Sequence, residues 1–445
     1  MQIVIGAEVM NTTIRLEDVF GVTSRPIRSY VERDDIDSRF REALRSGKQI
    51  VVYGSSKQGK TALVSKHLPY DDNLLVSLTP KTQLIDIYQR ILSATGVRLV
   101  AGSTEKSNTE ASVGIGTRFK ALIPIFGSAE AEAKGEFKAG SGKELRYEEI
   151  PINLELPQSV ADLLQKVGCS KFVILENFHY LNDEIQRQFA FDLRAFQELG
   201  VRFVILGVWR EKNRMAQFNG DLLDRIIEVP VEPWRDSDFL EVVARGSTVL
   251  NIEIYSQIIQ GAIDASFSSI GVFQELLKAI CIEAGVLHPQ TRLRKVISDP
   301  SFLAKAIETK TQDYASRHQR ALEAIAAGHT TGGAKGDLQP LYLPYYLVQV
   351  VLNQGFSGIS NGMQRSTLHD GIKEMHHRGD DVRSSDMTNL LDGLANLQAA
   401  KFISPPIIDF DKQNRMLQVV DSTFYFFIKH VDLKDVAEAI PNPLQ

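Results

Sequence analysis

The stretch Gln49-Ile50-Val51-Val52-Tyr53-Gly54-Ser55-Ser56-Lys57-Gln58-Gly59-Lys60-Thr61 decides how this chain folds. A short β-type run enters a turn bounded by Gly54 and Gly59, and Lys60-Thr61-Ala62-Leu63-Val64 opens a helix. The turn matches the phosphate loop G-x-x-x-x-G-K-[S/T] and lies between a strand and a helix, as that loop requires. Successive backbone amides must turn inward around an anion, and glycine permits the positive φ and the close approach. The helix that follows aims its N-terminus at the same charge. Gly54, Ser55, Ser56, Lys57, Gln58, Gly59, Lys60 and Thr61 are therefore expected to hold the phosphates of ATP. Lys60 supplies a point charge and the Thr61 hydroxyl a ligand for Mg²⁺.

Working outward, residues 34–46 read as an amphipathic helix, with Asp34 or Asp35 placed to cap it. Short apolar runs recur at 74–78, 171–175, 202–206 and 225–229, with helical patterns at 82–94 and 183–199 between them. β-type runs alternating with helices imply an α/β fold with a five-stranded parallel sheet, the P-loop NTPase arrangement. Residues 101–149 break the rhythm: glycines at 114, 116, 127, 135, 140 and 142 punctuate an insertion that reads as β-hairpins. After Pro233-Trp234 the pattern turns helical, at 236–244, 252–265, 269–284 and 301–327, and suggests a lid. Residues 328–336, Gly-His-Thr-Thr-Gly-Gly-Ala-Lys-Gly, form a linker. Beyond it come helices and then β-type runs at 401–408 and 415–421, the order of a winged helix-turn-helix domain. The expected plan is an extension at 1–24, an ATPase core at 25–233, a helical lid at 234–327 and a winged-helix domain at 337–445.

The other half of a nucleotide site needs an acidic residue ending a second buried strand. Phe172-Val173-Ile174-Leu175-Glu176-Asn177-Phe178-His179 supplies one. Together with the phosphate loop, this run resembles the P-loop ATPases of the AAA+ and STAND type, most of all the branch of the replication initiators. That resemblance covers roughly residues 25–290 and implies several roles. Glu176 stands where an Asp usually organises the Mg²⁺ shell. Asn177 stands where a carboxylate usually activates water, and an amide can orient water but takes no proton. Hydrolysis should therefore be slow unless Glu176 doubles as the base. Arg225 matches the arginine finger that reaches a neighbouring subunit's ATP; the alternative is a local pair with Asp221 or Asp224. Gln274 occupies the place of a sensing arginine without its charge. Tyr30 or Val31, before the first helix, matches the segment that covers adenine.

Composition bounds the rest. The chain has 445 residues, 43% hydrophobic and 24% charged, with a formal net charge of −5. That balance does not advertise nucleic acid or an anionic membrane. Cys169 and Cys281 cannot build a disulfide framework, and the N-terminus lacks a secretory pattern, so a cytoplasmic protein is expected. The candidate recognition helix at 384–400 contains Asp386 and Asp392 but no Lys or Arg, whereas DNA-docking helices bring cations to phosphates. The resemblance thus implies an oligomeric nucleotide switch acting with a partner effector protein, as in prokaryotic defence systems. A DNA-loading initiator-type ATPase and a non-hydrolysing scaffold are the alternatives.

Overall fold

The computed structural model describes residues 14–23, 27–101, 118–125, 146–328 and 339–444. These divide into two compact units: the described residues within 38–53 and 67–230, and those within 1–37, 54–66 and 231–445. Helices α1 (Asp34–Arg45) and α2 (Lys60–His67) cross from one range to the other, and β1 (Gln49–Tyr53) lies between them. The N-terminal turn of α1 is tied by Asp37 rather than Asp34 or Asp35: its carboxylate accepts the Arg33 backbone N–H at 2.8 Å.

The unit containing β1 continues with β2 (Leu74–Ser77), α3 (Leu84–Ala94), β3 (Arg98–Ala101), β4 (Arg118–Ile125) and β5 (Arg146–Asn153). It ends with α4 (Pro157–Lys166), β6 (Val173–Glu176), α5 (Asp183–Glu198), β7 (Phe203–Gly207), α6 (Arg214–Phe218) and β8 (Ile226–Pro230). Its five-stranded sheet has the order β2-β6-β7-β1-β8. All neighbours in it are parallel. β1 is buried along its whole length because both faces of such a sheet are covered. Its one strongly polar residue, Gln49, is fully satisfied: Nε2 donates to Leu193 O and Val201 O at 3.3 and 3.0 Å, and Oε1 accepts Phe203 N–H at 2.7 Å. Phe178, Phe189, Phe196, Phe203, Tyr88 and Trp209 fill the core around the sheet.

The insertion forms a separate antiparallel sheet, β3-β4-β5. Ala121, Ile123 and Ile152 bury one face of it in the core. The glycine-rich stretches 102–117 and 126–145, where the hairpin tips were expected, lie outside the described residues.

The second unit carries α7 (Asp236–Leu250), β9 (Ile252–Ile254), α8 (Ser256–Ser266), α9 (Ile270–Glu283), β10 (Lys295–Ile297) and α10 (Ser301–Ala326). The lid is thus not wholly helical. Asn251, at φ 53, ends α7, and the alternating Ile252-Glu253-Ile254 pairs in parallel with β10. The described N-terminal residues pack here, with Leu16, Val19 and Phe20 in the lid core.

The chain then forms α11 (Leu343–Ile359), β11 (Met363–Gln364), α12 (Arg365–Met375), α13 (Ser384–Asp392) and α14 (Leu394–Ala400). β12 (Ile408–Asp411), β13 (Met416–Val419), α15 (Ser422–His430) and α16 (Leu433–Ala439) complete it. β11-β13-β12 make an antiparallel sheet. Two sequence expectations need correction. The single helix expected at 384–400 is two helices meeting at Gly393. The strand expected from residue 401 starts only at Ile408, because Pro405 and Pro406 bring no N–H to a ladder. The aromatic run Phe424-Tyr425-Phe426-Phe427-Ile428 is buried core, as its composition suggests. Among the described residues no helix is long and apolar enough to cross a membrane.

Candidate functional site

The phosphate loop leaves β1 at Gly54, whose φ is 152° and where a Cβ would stand 2.7 Å from Val231 Cγ2. Only glycine fits there. Lys60 starts α2 and folds back across the loop, donating to Gly54 O at 2.9 Å and Ser55 O at 2.6 Å. Its ammonium is buried, and burial pushes its pKa down to about 8 against the raising influence of Glu232 and Asp421. A buried cation held mainly by neutral carbonyls is poised for an anion. Glu232 also accepts the Ser55 hydroxyl at 3.2 Å. Thr61 follows in the first helical turn, so its hydroxyl lies at the N-terminal end of α2. Glycine cradle, helix N-terminus, lysine and hydroxyl together fit a nucleoside polyphosphate with Mg²⁺.

The middle of the loop is tied to the rest of its own unit, which sequence reasoning missed. Ser56 N–H donates to Val420 O at 2.7 Å. Ser422 Oγ donates to Ser56 O at 3.1 Å, and Gln58 Nε2 donates to Ser422 Oγ at 3.2 Å. Gly271, at the start of α9, donates its N–H to Lys57 O at 2.9 Å. A Cβ on Gly271 would come within 2.4 Å of Lys57 Cβ, so glycine is needed for that approach. Lys57 itself has φ 61°, and its ammonium lies 4.9 Å from the centre of the Tyr314 ring. Asp421 caps α15 by accepting Thr423 N–H at 3.1 Å, and it is paired with Arg317. An Asp-Ser-Thr run before an aromatic helix could have been read as a cap. No sequence signal gives its partner on the loop, 366 residues away.

Val31 is buried in the lid core. Tyr30 is half-buried and donates its hydroxyl to Asp37 Oδ1 at 2.7 Å; burial and that carboxylate hold the phenol well above its ordinary pKa. Beside them Arg33 donates to Val231 O at 2.8 Å and stacks 3.8 Å from the centre of the Trp234 ring. Trp234 Nε1 donates to Gln58 O at 3.4 Å, so this aromatic–guanidinium pair abuts the loop. Gln274 is buried and structural: its amide donates to Ser29 Oγ at 3.1 Å and accepts Gly21 N–H at 3.4 Å.

Glu176, Asn177 and Arg225 belong to the unit of the parallel sheet. Glu176 is the last residue of β6, beside Ser77 of β2, and accepts the Tyr70 hydroxyl at 2.7 Å. Asn177 is left-handed, with φ 62° and ψ 36°. Asparagine tolerates that conformation far better than glutamate, which gives a backbone reason for the amide where a carboxylate was looked for. Arg225, just before β8, donates to Gln197 Oε1 at 3.2 Å and pairs with Glu198 at 3.2 Å. The local partners expected for it differ: Asp221 pairs with Arg194 instead.

The sheet order, with the strand that precedes the loop flanked by β7 and β8, and the loop itself define an α/β fold of the P-loop NTPase class. No family model and no curated protein matches the sequence. Among solved structures it is similar to a Walker-type ATPase of Pyrococcus abyssi (13% identity, TM-score 0.46, covering 90% of this chain and 96% of that one). It is also similar to the ORC1 protein of Aeropyrum pernix, solved in complex with DNA (11%, TM-score 0.41, covering 92% and 93%). A third is Cdc6p from Pyrobaculum aerophilum (11%, TM-score 0.38, covering 95% and 100%).

Proposed function

We propose that this chain is an ATP-binding switch of the AAA+/STAND type that hydrolyses ATP slowly and signals through its C-terminal module. The observation that carries the reading is the loop's set of attachments: Ser56 and Gln58 to residues 420–422, and Lys57 to the start of α9. A phosphate in the cradle and the position of the C-terminal module then bias one another through the same few residues. We read that module as a winged helix, on the order α11, β11, α12, α13–α14 and the β12–β13 hairpin. In this reading Lys60 holds the β- and γ-phosphates, and Thr61 and Glu176 hold Mg²⁺, which when bound neutralises and orients the phosphates. Asn177 orients water without taking its proton, and Tyr30 or Val31 covers the base. Arg225 serves a neighbouring copy in a homo-oligomer. The output is a partner effector protein, and a prokaryotic defence setting fits such a device.

A DNA-loading ATPase is the second reading, prompted by the ORC1 protein solved with DNA. Two cations beside α13, Arg365 and Arg383, are engaged within the module. Arg365 donates to Ser384 O and Thr388 Oγ1 at 2.6 and 3.1 Å, and Arg383 pairs with Asp386 at 3.0 Å. That favours a protein partner over DNA.

Thermal melting with millimolar Mg·ATP tests the nucleotide site. A ligand at about 100 times its Kd adds roughly 2.7 kcal/mol, which should move the wild-type curve and leave Lys60→Ala unmoved. An unmoved wild-type curve would end the nucleotide reading. Light scattering with ADP or a non-hydrolysable ATP analogue, with and without duplex DNA, separates the two outputs.

A further inference from the structure

We infer that Asp421 is an affinity-setting residue: an internal anion docked on the phosphate loop, so that nucleotide phosphates and the docked segment Val420–Thr423 oppose each other. The inference rests on the nucleotide reading above. Asp421 is fully buried at the junction of β13 and α15. It lies in a one-residue β-bridge with Ser56, and the neighbouring Val420 carbonyl takes the Ser56 N–H at 2.7 Å. One carboxylate oxygen accepts Thr423 N–H and the Thr423 hydroxyl at 3.1 and 2.9 Å, and the other is paired with Arg317. Arg317 is further fixed on Pro405 O at 3.1 Å, so the pair is held in place.

The carboxylate is felt by the loop's cations. Burial disfavours the charged forms of Lys57 and Lys60, and Asp421 works against that for both. In the absence of nucleotide the chain thus supplies part of the negative charge that its own cradle calls for. ATP brings several negative charges to the same lysines, in surroundings where like charges are poorly screened. Binding must then overcome repulsion from Asp421 or displace the segment that carries it. By reciprocity, whatever pulls the C-terminal module off the loop tightens ATP by the same factor.

Charge and simple loosening make opposite forecasts, which allows a decisive test. Asp421→Asn keeps the shape and the acceptor for Thr423 but removes the charge; it should tighten ATP about tenfold, within the usual range of intramolecular coupling. Arg317→Gln leaves the buried carboxylate uncompensated and should weaken ATP. If the segment were only a mechanical strap, both substitutions would loosen it and move affinity the same way. ATP and ADP dissociation constants of the full chain and both variants are to be measured by calorimetry, with circular dichroism as the check on folding. Should Arg317→Gln not fold, Ser422→Ala replaces it. That change removes strap hydrogen bonds without charge and should move ATP and ADP equally, whereas Asp421→Asn should favour ATP more than ADP. Shifts of the same sign in Asp421→Asn and Arg317→Gln, or an unchanged ATP-to-ADP ratio in Asp421→Asn, overturn the inference. A wild-type chain that binds no ATP refutes the nucleotide reading instead.

Discussion

His318 should make the C-terminal unit acid-labile, by an amount that can be worked out. It lies on α10, fully buried, 5.3 and 5.4 Å from the ring centres of Phe424 and Phe427, with Nε2 2.8 Å from Thr423 Oγ1. Burial lowers its pKa from 6.5 to about 4; Asp421 raises it, and Arg317 and Lys57 add to the lowering. The folded chain therefore refuses a proton that the unfolded chain accepts between pH 6.5 and 4. The unfolded state binds more protons in that window, so stability falls as the pH drops through it and levels off below the folded pKa. At about 1.36 kcal/mol per unit, the loss is roughly 2 kcal/mol at pH 5 and on the order of 3 kcal/mol when complete. His318→Gln cannot titrate and retains a group able to bond Thr423. Urea unfolding at pH 7 and pH 5, followed by tryptophan fluorescence and circular dichroism, should show the wild type losing about 2 kcal/mol more than the variant over that interval. Equal losses in the two proteins would mean that His318 is protonated in the fold, and the reasoning from burial would fail.

Other outcomes follow from single residues. Arg225→Ala should leave nucleotide affinity nearly intact while reducing ATP-dependent assembly or turnover, and its own contacts with Glu198 and Gln197 are surface bonds whose loss costs at most about 1 kcal/mol. A variant that assembles and turns over like the wild type would leave Arg225 a local surface pair. Asn177→Gly should be nearly neutral in urea titrations, whereas Asn177→Glu should cost about 1 kcal/mol for a Cβ-bearing, less tolerant residue at φ 62°; equal stabilities would argue against strain there. Wild-type turnover should fall well below ~1 s⁻¹, and fast hydrolysis unchanged in Asn177→Ala would contradict the slow switch.

The parallel sheet was legible because its strands are short, continuously apolar and spaced by helical patterns; β1 was read with its observed bounds. The phosphate loop was legible because its glycine spacing is a local backbone demand. What failed to show was of two kinds. The strand Ile252–Ile254 is too short to declare a period, and its partner lies some forty residues on, at Lys295–Ile297. The docking of Val420–Ser422 on Ser56 and Gln58 depends on tertiary closure, for which periodicity carries no signal. Glu176 was read at the end of its strand from the apolar run alone, but its bond with Tyr70 comes from a turn before β2 that has no pattern of its own. The left-handed Asn177 had a local cue, since asparagine is among the few side chains that accept that conformation. Reading it only as a missing base hid that cue.

Asn177 answers to two demands, one of chemistry and one of backbone geometry. A chain selected only for slow hydrolysis could place any neutral side chain after Glu176. A chain that turns sharply after the strand, into the short helical turn Phe178–Tyr180, favours asparagine, aspartate or glycine at that position over other side chains. The two demands meet in asparagine. Restoring a carboxylate with glutamate would therefore pull on the backbone that fixes Glu176, and a loss of turnover in Asn177→Glu would not by itself show that a base is useless there. Asn177→Asp is the cleaner substitution, because aspartate tolerates φ 62° and carries the charge. If Asn177→Asp hydrolyses faster than the wild type while Asn177→Glu does not, the slow rate comes from the missing charge and the backbone turn decides which carboxylate can supply it. If neither gains, the limit lies elsewhere, and the attachments of Ser56, Lys57 and Gln58 to the lid and C-terminal module become the step to release.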